Sequence, residues 1–447
     1  MKRVYWIVWG VLTLTIAGYF LNMMLYAEDK SELIIGEATH GHYQIEMACT
    51  SCHTESFGGE DMLQNACVDC HGDQLKMARD SHPKKKFTDP RNADLVDILD
   101  ARYCVSCHTE HQNEQTHAMG LTVPGDYCFH CHETVVDDRE SHKDLGFETC
   151  ASAGCHNFHD NRALFEDFLA GSAEQPWVAA MSELVHANAA NKKAKDIKQP
   201  ADYFEAKKQQ HPDIEQEWLA SRHGEVGVEC GSCHADETAS WIEKPALSQC
   251  QSCHTQETEG YLQGKHGMRI AEGLSPLTPS MSQMAFKQDM LDAEHGCNSC
   301  HASHSFDRKF AAFESCVSCH DDDHTRAFES SPHGQLTRAA MNDELPWEQA
   351  VTCATCHMPR LLHGKENSAL DPLSIANFKG NALIKVQHNQ SDNLRPNEKM
   401  IRPICMSCHS LSFSIDALAD THLINNNFNG KPERHVPSID WAKQRLK

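Results

Sequence analysis

The cysteines of this 447-residue chain all occur in pairs, and a histidine directly follows the second cysteine of each pair. There are 22 cysteines and therefore eleven pairs, so no thiol is left over. Ten pairs have the spacing CxxCH, whereas the pair in "FETCASAGCHNFHD" has four residues between its cysteines. In chain order the pairs and their histidines are Cys49 and Cys52 with His53; Cys67 and Cys70 with His71; Cys104 and Cys107 with His108; Cys128 and Cys131 with His132; Cys150 and Cys155 with His156; Cys230 and Cys233 with His234; Cys250 and Cys253 with His254; Cys297 and Cys300 with His301; Cys316 and Cys319 with His320; Cys353 and Cys356 with His357; and Cys405 and Cys408 with His409.

CxxCH is the attachment signature of c-type haem, in which two thiols add to the vinyl groups and the adjacent imidazole becomes the proximal iron ligand. Histidine makes up 31 of the 447 residues, so eleven chance occurrences behind a cysteine pair have a probability on the order of 10^-13. A disulfide framework or zinc sites also use paired cysteines, but neither needs a histidine after every pair. The sequence therefore predicts eleven covalently attached haem c groups. The wider pair, Cys150 and Cys155, resembles an expanded attachment loop, with an isolated disulfide as the alternative.

The number of haems sets the fold class. Eleven haems in 447 residues leave about 41 residues per haem, and 40% of the residues are hydrophobic. Such a chain cannot build a large apolar interior from side chains alone, so the porphyrins must supply much of it. We expect a mainly α fold with extensive irregular loops, that is, a haem-cored multihaem cytochrome c. Without haem the chain should not fold.

The N-terminal sequence "MKRVYWIVWGVLTLTIAGYFLNMMLYAEDK" predicts one transmembrane helix. Residues 4–26 follow Lys2 and Arg3 without a charge, and at about 1.5 Å per residue they span a bilayer core of about 30 Å. A cleaved signal peptide is the alternative, but no clear small-residue cleavage site follows. Basic residues before the segment and Glu28 and Asp29 after it direct the remainder outward. We expect an inner-membrane anchor with a soluble domain in the periplasm, where haem c is attached.

The acidic balance of the chain constrains its partners. The formal net charge is −23, and ionised propionates on eleven ferric bis-histidine haems lower it to roughly −34. This charge excludes nucleic acid as a natural partner. It favours a basic or neutral redox partner protein in the periplasm or inner membrane, including a quinol-linked donor.

Motif spacing predicts the domain organisation. Several neighbouring motifs begin 18 to 24 residues apart, which forces their haems into near contact and predicts an electron wire. The spacer before Cys230 has apolar residues at three- and four-residue steps, as helices do, whereas prolines make the stretch 358–404 loop-rich. The predicted segments are a membrane anchor at 1–27, a five-haem domain at 28–165, a helical spacer at 166–229 and a six-haem domain at 230–447.

Distal iron ligands are expected among the 20 histidines outside the motifs, of which full bis-histidine ligation would use eleven. One group follows a proximal histidine by three or four residues, and a second group precedes glycine, which permits close approach of the backbone to a porphyrin. The candidates are His111, His159, His304 and His324 in the first group, His223, His266, His295 and His333 in the second, and His388 in "VQHNQ". Bis-histidine ligation predicts low haem potentials. Met358 and Met406 are expected to be packing residues.

Two segments resemble a known enzyme family. "QQHPDIEQEWLASRHGEVGVECGSCH" (209–234) resembles the stretch before a haem motif in pentahaem cytochrome c nitrite reductase. "VTCATCHMPRL", with the later "VQHNQ" and "ICMSCHS", resembles the last two haem motifs of that enzyme and of its relative hydroxylamine oxidoreductase. The resemblance implies that Gln209 and His211 line a substrate site, and Arg222 is a further candidate for binding an anion there.

Two functions compete at this stage, and whether the chain is an enzyme is left open. The favoured one is a membrane-anchored periplasmic cytochrome that transfers electrons through eleven low-potential, mostly bis-histidine haems in anaerobic-type respiration. The alternative is a multihaem oxidoreductase of the nitrite reductase or hydroxylamine oxidoreductase type, acting on a small nitrogen or sulfur compound. No CxxCK motif occurs, although the reductase carries that lysine at its active haem. His159 stands where the reductase has a tyrosine.

Overall fold

The computed structural model describes residues 2–27, 29–55, 58–78, 85–98, 100–115, 120–145, 156, 158–159, 166–173, 210–238, 240–363, 383–390, 400–401 and 404–445. Within these ranges the chain is mainly helical, and its strands form one two-stranded sheet. The prediction of a mainly α fold is therefore confirmed for the described residues.

Most helices have only one to three turns. Helices this short are not stable in isolation and depend on packing. The α-helices are α1 (Lys2–Tyr26), α2 (Cys49–Cys52), α3 (Glu60–Ala78), α4 (Lys85–Thr88), α5 (Ala93–Ile98), α6 (Phe129–His132), α7 (Val135–Asp138), α8 (Glu166–Ser172), α9 (Pro212–Ala220), α10 (Arg222–Glu225), α11 (Gly231–His234), α12 (Leu247–Gln251), α13 (Thr255–Gln263), α14 (Met268–Ala271), α15 (Cys297–Cys300), α16 (Arg308–Ala312), α17 (Glu314–Cys319), α18 (Asp323–Phe328), α19 (Pro332–Met341), α20 (Cys353–His357), α21 (Leu411–Ala419), α22 (Thr421–Asn425) and α23 (Ser438–Arg445). Single 3₁₀ turns lie at Ser31–Leu33, Tyr43–Ile45, Pro90–Asn92, Cys104–Ser106, Glu140–His142, Pro279–Met281, Gln288–Met290, Trp347–Gln349 and Cys405–Ser407.

The α1 helix is long and apolar enough to cross a membrane, and none of its described side chains is buried. Its aromatic residues include an edge-to-face pair, Trp6 and Trp9, near the N-terminal end. The predicted apolar N-terminal helix is thus confirmed. A helix of this kind is either a membrane anchor or a signal sequence, and the anchor stays a prediction.

The chain divides into two compact units. Unit 1 comprises residues 1–72 and 84–127, and unit 2 comprises residues 73–83 and 128–447. The predicted division at a spacer spanning 166–229 stays a prediction, because residues 174–209 lie outside the described part of the chain. The described ends of that spacer are helical, as α8, α9 and α10 show.

The sheet of unit 2 lies where the sequence pattern predicts loop. Strands β1 (Arg360–His363) and β2 (Leu383–Val386) pair antiparallel, with Arg360 opposite Val386 and His363 opposite Leu383. The backbone N–H of Gln387 continues the pairing by donating to Pro359 O at 2.9 Å. This sheet fixes the segment that carries His388 against the chain just beyond the Cys353 motif.

An apolar cluster in the described part of unit 2 joins α8, α21 and α23. Leu411 and Ile415, one turn apart on α21, face the cluster, and the Ser410 hydroxyl caps this helix by accepting from Phe413 N–H at 3.3 Å. Met406 is fully buried, as a packing role requires. The buried members are Phe168, Leu169, Ala173, Ile401, Met406, Leu411, Ile415, Ile439 and Ala442.

A histidine between two carboxylates connects α21 to α23. His435 Nδ1 lies 3.0 Å from Asp416 Oδ2, and its Nε2 lies 2.8 Å from Asp440 Oδ2. Hydrogen bonds to Asp416 and then Asp440 raise the pKa of His435 above 6.5. When it is protonated, His435 therefore forms an ion pair with each of the two helices.

We expect the His435→Gln substitution to lower the thermal midpoint of the holoprotein at acid pH only. Because the folded-state pKa of His435 is raised, its stabilisation is complete below pH 6.5 and disappears as the pH rises through the folded value. The side chain is half exposed, so the loss should stay below about 1 kcal/mol. Melting curves between pH 5 and pH 9 test this, and a deficit that grows with pH would contradict it.

Candidate haem sites

The described attachment motifs form a helical turn that explains their spacing. In this turn the histidine N–H donates to the carbonyl of the first cysteine, as in His53 to Cys49 (2.8 Å) and His301 to Cys297 (2.9 Å). Residues i, i+3 and i+4 lie on one face of a helix, so both thiols and the imidazole point the same way. This is the arrangement that one macrocycle needs.

The second cysteine of a motif is held by the same carbonyl in several of these turns. The backbone N–H groups of Cys107, Cys131 and Cys253 each donate to the carbonyl of the first cysteine of their own motif, at 3.1, 3.3 and 3.2 Å. The side chains of Cys131 and Cys253 are exposed, and that of Cys107 is half-buried. These thiols therefore lie where a haem vinyl group can reach them. Haem attachment at each of them stays a prediction.

The expanded motif is described only in part. Cys150 and Cys155 lie outside the described residues, whereas His156 is described. The choice between an expanded attachment loop and an isolated disulfide therefore rests on the sequence and on the surroundings of His156.

Among the described residues, eight proximal histidines have a second histidine ring at a common distance. The ring centroids lie 5.8 to 6.5 Å apart. An iron that binds two imidazoles at about 2 Å on opposite sides separates their centroids by about 6 Å, so these pairs fit a bis-histidine haem. The pairs, proximal residue first, are His71 with His42, His156 with His142, His234 with His304, His254 with His223, His301 with His388, His320 with His266, His357 with His324, and His409 with His333.

Six of the nine predicted distal candidates occur in these pairs: His223, His266, His304, His324, His333 and His388. The sequence reasoning missed His42 and His142, which neither follow a motif closely nor precede glycine. For these two residues the sequence offers no signal beyond the histidine itself.

The other three candidates have different surroundings. His295 stacks on the His266 ring at 4.3 Å, which is too close for a shared iron. His111 Nδ1 lies 2.9 Å from Gly36 O, and His111 shares with His304 a left-handed backbone (φ 61° and 70°) three residues after a proximal histidine. His159 contacts the Phe158 ring. Ligation by His111 and His159 stays a prediction, whereas for His295 we expect a packing role.

A recurring turn presents three of the paired distal histidines. Ser221 caps α10 by accepting a hydrogen bond from Gly224 N–H at 3.2 Å, which places His223 in the first turn. A Cβ at Gly224 would collide with the backbone carbonyl of Trp218, at the end of α9. Glycine is thus required by a neighbouring helix end, and its close approach to a porphyrin stays a prediction. The same close approach recurs at His333–Gly334 against Phe328, where Ser331 is the cap, and at His266–Gly267 against Tyr261, where Gly264 takes the position of the serine.

Hydrogen bonds at Nδ1 fix the direction of several rings. His388 Nδ1 lies 3.0 Å from Val386 O, and His234 Nδ1 lies 2.8 Å from Ile242 O. A ring that donates from Nδ1 to a carbonyl leaves Nε2 for a metal. His324 Nδ1 lies 2.6 Å from Ile424 O. Its Nε2 also lies 3.2 Å from the amide nitrogen of Asn427, so iron binding there requires this amide to give way.

Burial favours the neutral form of most of the paired histidines, which is the form that metal binding requires. Burial is the main cause that lowers the pKa of these rings, and neighbouring histidines add to it at His266, whose pKa lies well below 6.5. The affected residues are His142, His223, His266, His301, His304, His320, His333, His388 and His409. The raised pKa of the unpaired His435 is the contrast.

Two of the paired distal rings are linked to a carboxylate by hydrogen bonds. His42 Nδ1 lies 2.6 Å from Glu110 Oε1. Burial would raise the pKa of Glu110, but hydrogen bonds from His42 and from Thr39 outweigh it and hold the pKa at about 2. His142 reaches a carboxylate through a hydroxyl, because its Nδ1 lies 2.9 Å from Ser141 Oγ, which donates to Glu166 Oε1 at 2.6 Å.

Thiols of consecutive motifs adjoin within each unit. In unit 1, a hydrogen bond from Cys104 raises the pKa of Cys67. In unit 2, the six consecutive motifs from Cys230 to Cys408 are joined by five contacts, in each of which a thiol of one motif shifts the pKa of a thiol in the neighbouring motif through a hydrogen bond or its charge. The adjoining thiols are Cys233 with Cys250 and Cys253, Cys250 with Cys297, Cys300 with Cys316, Cys316 with Cys353, and Cys356 with Cys405. The attachment sites of unit 2 therefore follow one another in chain order.

The residues implied by the reductase resemblance are only partly described. Gln209 lies outside the described residues. His211 is exposed at the start of α9 and contributes to the lowered pKa of His304. Arg222 is exposed, and its guanidinium lies 2.7 Å from the Glu225 carboxylate. Its charge is thus already partnered at the surface.

Comparison with known proteins gives one match. The family model described as cytochrome c3 matches residues 41–133, a stretch well under half of the chain that contains the motifs beginning at Cys49, Cys67, Cys104 and Cys128. No curated protein matches the chain. The match supports a multihaem c-type cytochrome with covalently bound haem c and a role in electron transfer.

Proposed function

We propose that this protein is a membrane-anchored periplasmic cytochrome c that conducts electrons through eleven haems, mostly bis-histidine and of low potential, in anaerobic-type respiration. The observation that carries this proposal is the row of adjoining attachment sites in unit 2, from Cys230 to Cys408, with a histidine pair at each site. Haem supplies a reversible one-electron couple at each position. The polypeptide sets the spacing and the order.

The chain contributes two things at each proposed site. The two cysteines would hold the haem covalently, so that it could not dissociate. The two histidines would bind its iron, which would leave no iron position for a substrate and favours electron transfer over catalysis. We propose the eight distal histidines of the pairs as these ligands, together with His111, whose backbone conformation matches that of His304.

The oxidoreductase function needs an iron with an exchangeable position. The eight histidine pairs do not involve His53, His108 or His132, so the motifs of these three residues are where that position would be sought. The substrate residues of the resemblance, His211 and Arg222, lie in the sequence before the Cys230 motif instead, where His234 is paired with His304 at 6.0 Å. The resemblance and the histidine pairing thus indicate different sites, which favours the conductor.

We expect the ferric holoprotein to show low-spin haem only, and nitrite and hydroxylamine to leave its spectra unchanged. The physical reason is that a second histidine would bind every iron: the eight paired histidines and His111 account for nine, and 20 histidines lie outside the motifs. EPR and visible absorbance of the purified protein measure this, and mass spectrometry of the intact chain should give eleven haems. A high-spin signal that shifts with nitrite would establish the oxidoreductase instead. A mass corresponding to fewer haems would contradict the count.

The partners follow from charge and location. With a net charge of −23 before haem propionates are counted, we propose a basic or neutral redox protein of the periplasm or inner membrane as partner, with a quinol-linked donor on the membrane side. Association with such a partner is electrostatically steered and weakens with salt.

A further inference from the structure

We infer that Glu110 is a positioning residue that lowers the reduction potential of the haem held at Cys67 and Cys70, acting through the Nδ1 atom of His42. This inference rests on the proposed function, in which His42 and His71 bind opposite sides of one iron. It assigns a lower reduction potential to one particular haem, whereas the proposed function requires only that neighbouring haems lie close together.

The geometry defines the role of the carboxylate. Glu110 Oε1 lies 2.6 Å from His42 Nδ1, and the His42 ring lies 5.8 Å from the His71 ring. The Thr39 backbone N–H donates to Glu110 Oε2 at 2.8 Å, and the Thr39 hydroxyl donates to Oε1 at 2.9 Å. Thr39 is 3% exposed. The carboxylate is thus held by Thr39 as well as by His42, and both its oxygens are fixed.

A charged acceptor at Nδ1 changes the ligand in a way that a carbonyl does not. It draws the Nδ1 proton towards itself and makes Nε2 a stronger electron donor. A stronger donor stabilises the ferric state more than the ferrous state, because the ferric iron carries the greater positive charge. The neighbouring negative charge acts in the same direction. Both effects lower the reduction potential.

The other histidine pairs of the chain can be compared by the group that each distal histidine contacts at Nδ1. His388 and His324 donate from Nδ1 to neutral backbone carbonyls at 3.0 and 2.6 Å. His142 reaches Glu166 only through the Ser141 hydroxyl. Among the described pairs, His42 is the distal ligand with a direct carboxylate contact. The haem of His42 should therefore have a lower potential than it would with a neutral acceptor at Nδ1.

The test is an anaerobic spectroelectrochemical titration of full-length holoprotein at pH 7, comparing the wild type with Glu110→Gln. The substitution keeps the size of the side chain and an oxygen acceptor but removes the charge. We expect one component, with the amplitude of one haem in eleven, to move to higher potential. Every haem should remain low-spin and attached.

Two control variants separate this effect from general changes. Glu114→Gln removes the same charge from the same loop, but Glu114 contacts the backbone N–H of His40 and not a ligand ring. Thr39→Val removes one hydrogen bond to the carboxylate and leaves its charge on His42. Neither variant should move a component by as much as Glu110→Gln does. Glu110→Asp keeps the charge but moves it away from His42 Nδ1. It should produce a smaller shift in the same direction.

The outcomes distinguish the inference from the function on which it rests. Titrations that superimpose for wild type and Glu110→Gln, or equal shifts in Glu114→Gln or Thr39→Val, overturn the role of Glu110 while the conductor stands. If Glu110→Gln loses its low-spin haem, the Glu110→Asp variant replaces it in the test. A shift of its haem component to lower potential would overturn the inference. High-spin haem in the wild type overturns the proposed function itself.

Discussion

Produced without haem attachment, this chain is expected to have no stable fold outside its apolar N-terminal helix. In the described residues, protein atoms alone bury only twenty hydrophobic side chains, and seven of them are alanines. Short helices of one or two turns cannot stand without tertiary packing, and a core this small cannot offset the conformational entropy of several hundred residues. We expect most of the helical circular dichroism of the holoprotein to be lost in the apo chain.

The measurement compares the chain expressed with and without the haem attachment machinery, under reducing conditions so that disulfides do not form. Far-ultraviolet circular dichroism and limited proteolysis report on the fold. The apolar cluster around Met406 and Leu411 is the part with the best chance of resisting protease, because it does not use attachment cysteines for packing. An apo chain with full helicity and a protected fragment as large as unit 2 would refute the haem-cored fold.

The second large effect concerns His266 and His295, two neighbouring histidines that both precede a glycine. Replacing His266 by leucine is expected to turn one haem in eleven high-spin, because His266 is the ring that faces His320 at 6.3 Å. Replacing His295 by phenylalanine should leave all haems low-spin, because its ring stacks on His266 and serves as packing. The amount of high-spin haem in the two variants is measured by the high-spin EPR signal and by the high-spin absorbance band at the long-wavelength end of the visible spectrum.

His295 is the matched control because it should not take over the vacated position. The Tyr261 hydroxyl lies 3.3 Å from His295 Nδ1 and donates to His295 O at 3.2 Å, which holds the residue in its stack. If the phenylalanine variant becomes high-spin and the leucine variant does not, the ligand assignment is reversed. If neither changes, His320 has a different partner.

The attachment sites could be predicted from the sequence because the chemistry is local. Two thiols and an imidazole on one face of a turn need only the spacing CxxCH, and the described motifs fold that way, as at Cys297. The distal ligands are different, since a residue such as His388 reaches His301 only through the β1–β2 sheet, which the prolines of that region hid. His42 and His142 lie in no sequence pattern that would identify them as ligands.

The histidine–glycine pattern shows what the sequence reasoning lacked. It selected four residues, of which three are paired, and the exception is His295. In the three paired cases glycine is forced by a backbone carbonyl of the preceding helix, whereas a Cβ on Gly296 would meet open space. The residue two positions before the histidine also differs, being serine or glycine in the paired cases and Ala293 here. The pattern Ser/Gly-x-His-Gly would have made the distinction.

The order of ligands along the chain has a consequence for how the protein matures. In six of the eight pairs the distal histidine precedes its attachment motif, as His333 precedes Cys405. In the export that the proposed function requires, the distal histidine of each of these sites crosses the membrane before the cysteines and the proximal histidine do. The sites at Cys230 and Cys297 must wait for His304 and His388. Export that stops between residues 234 and 304 would therefore leave the Cys230 site with one ligand, and export that stops between residues 301 and 388 would leave the Cys297 site with one.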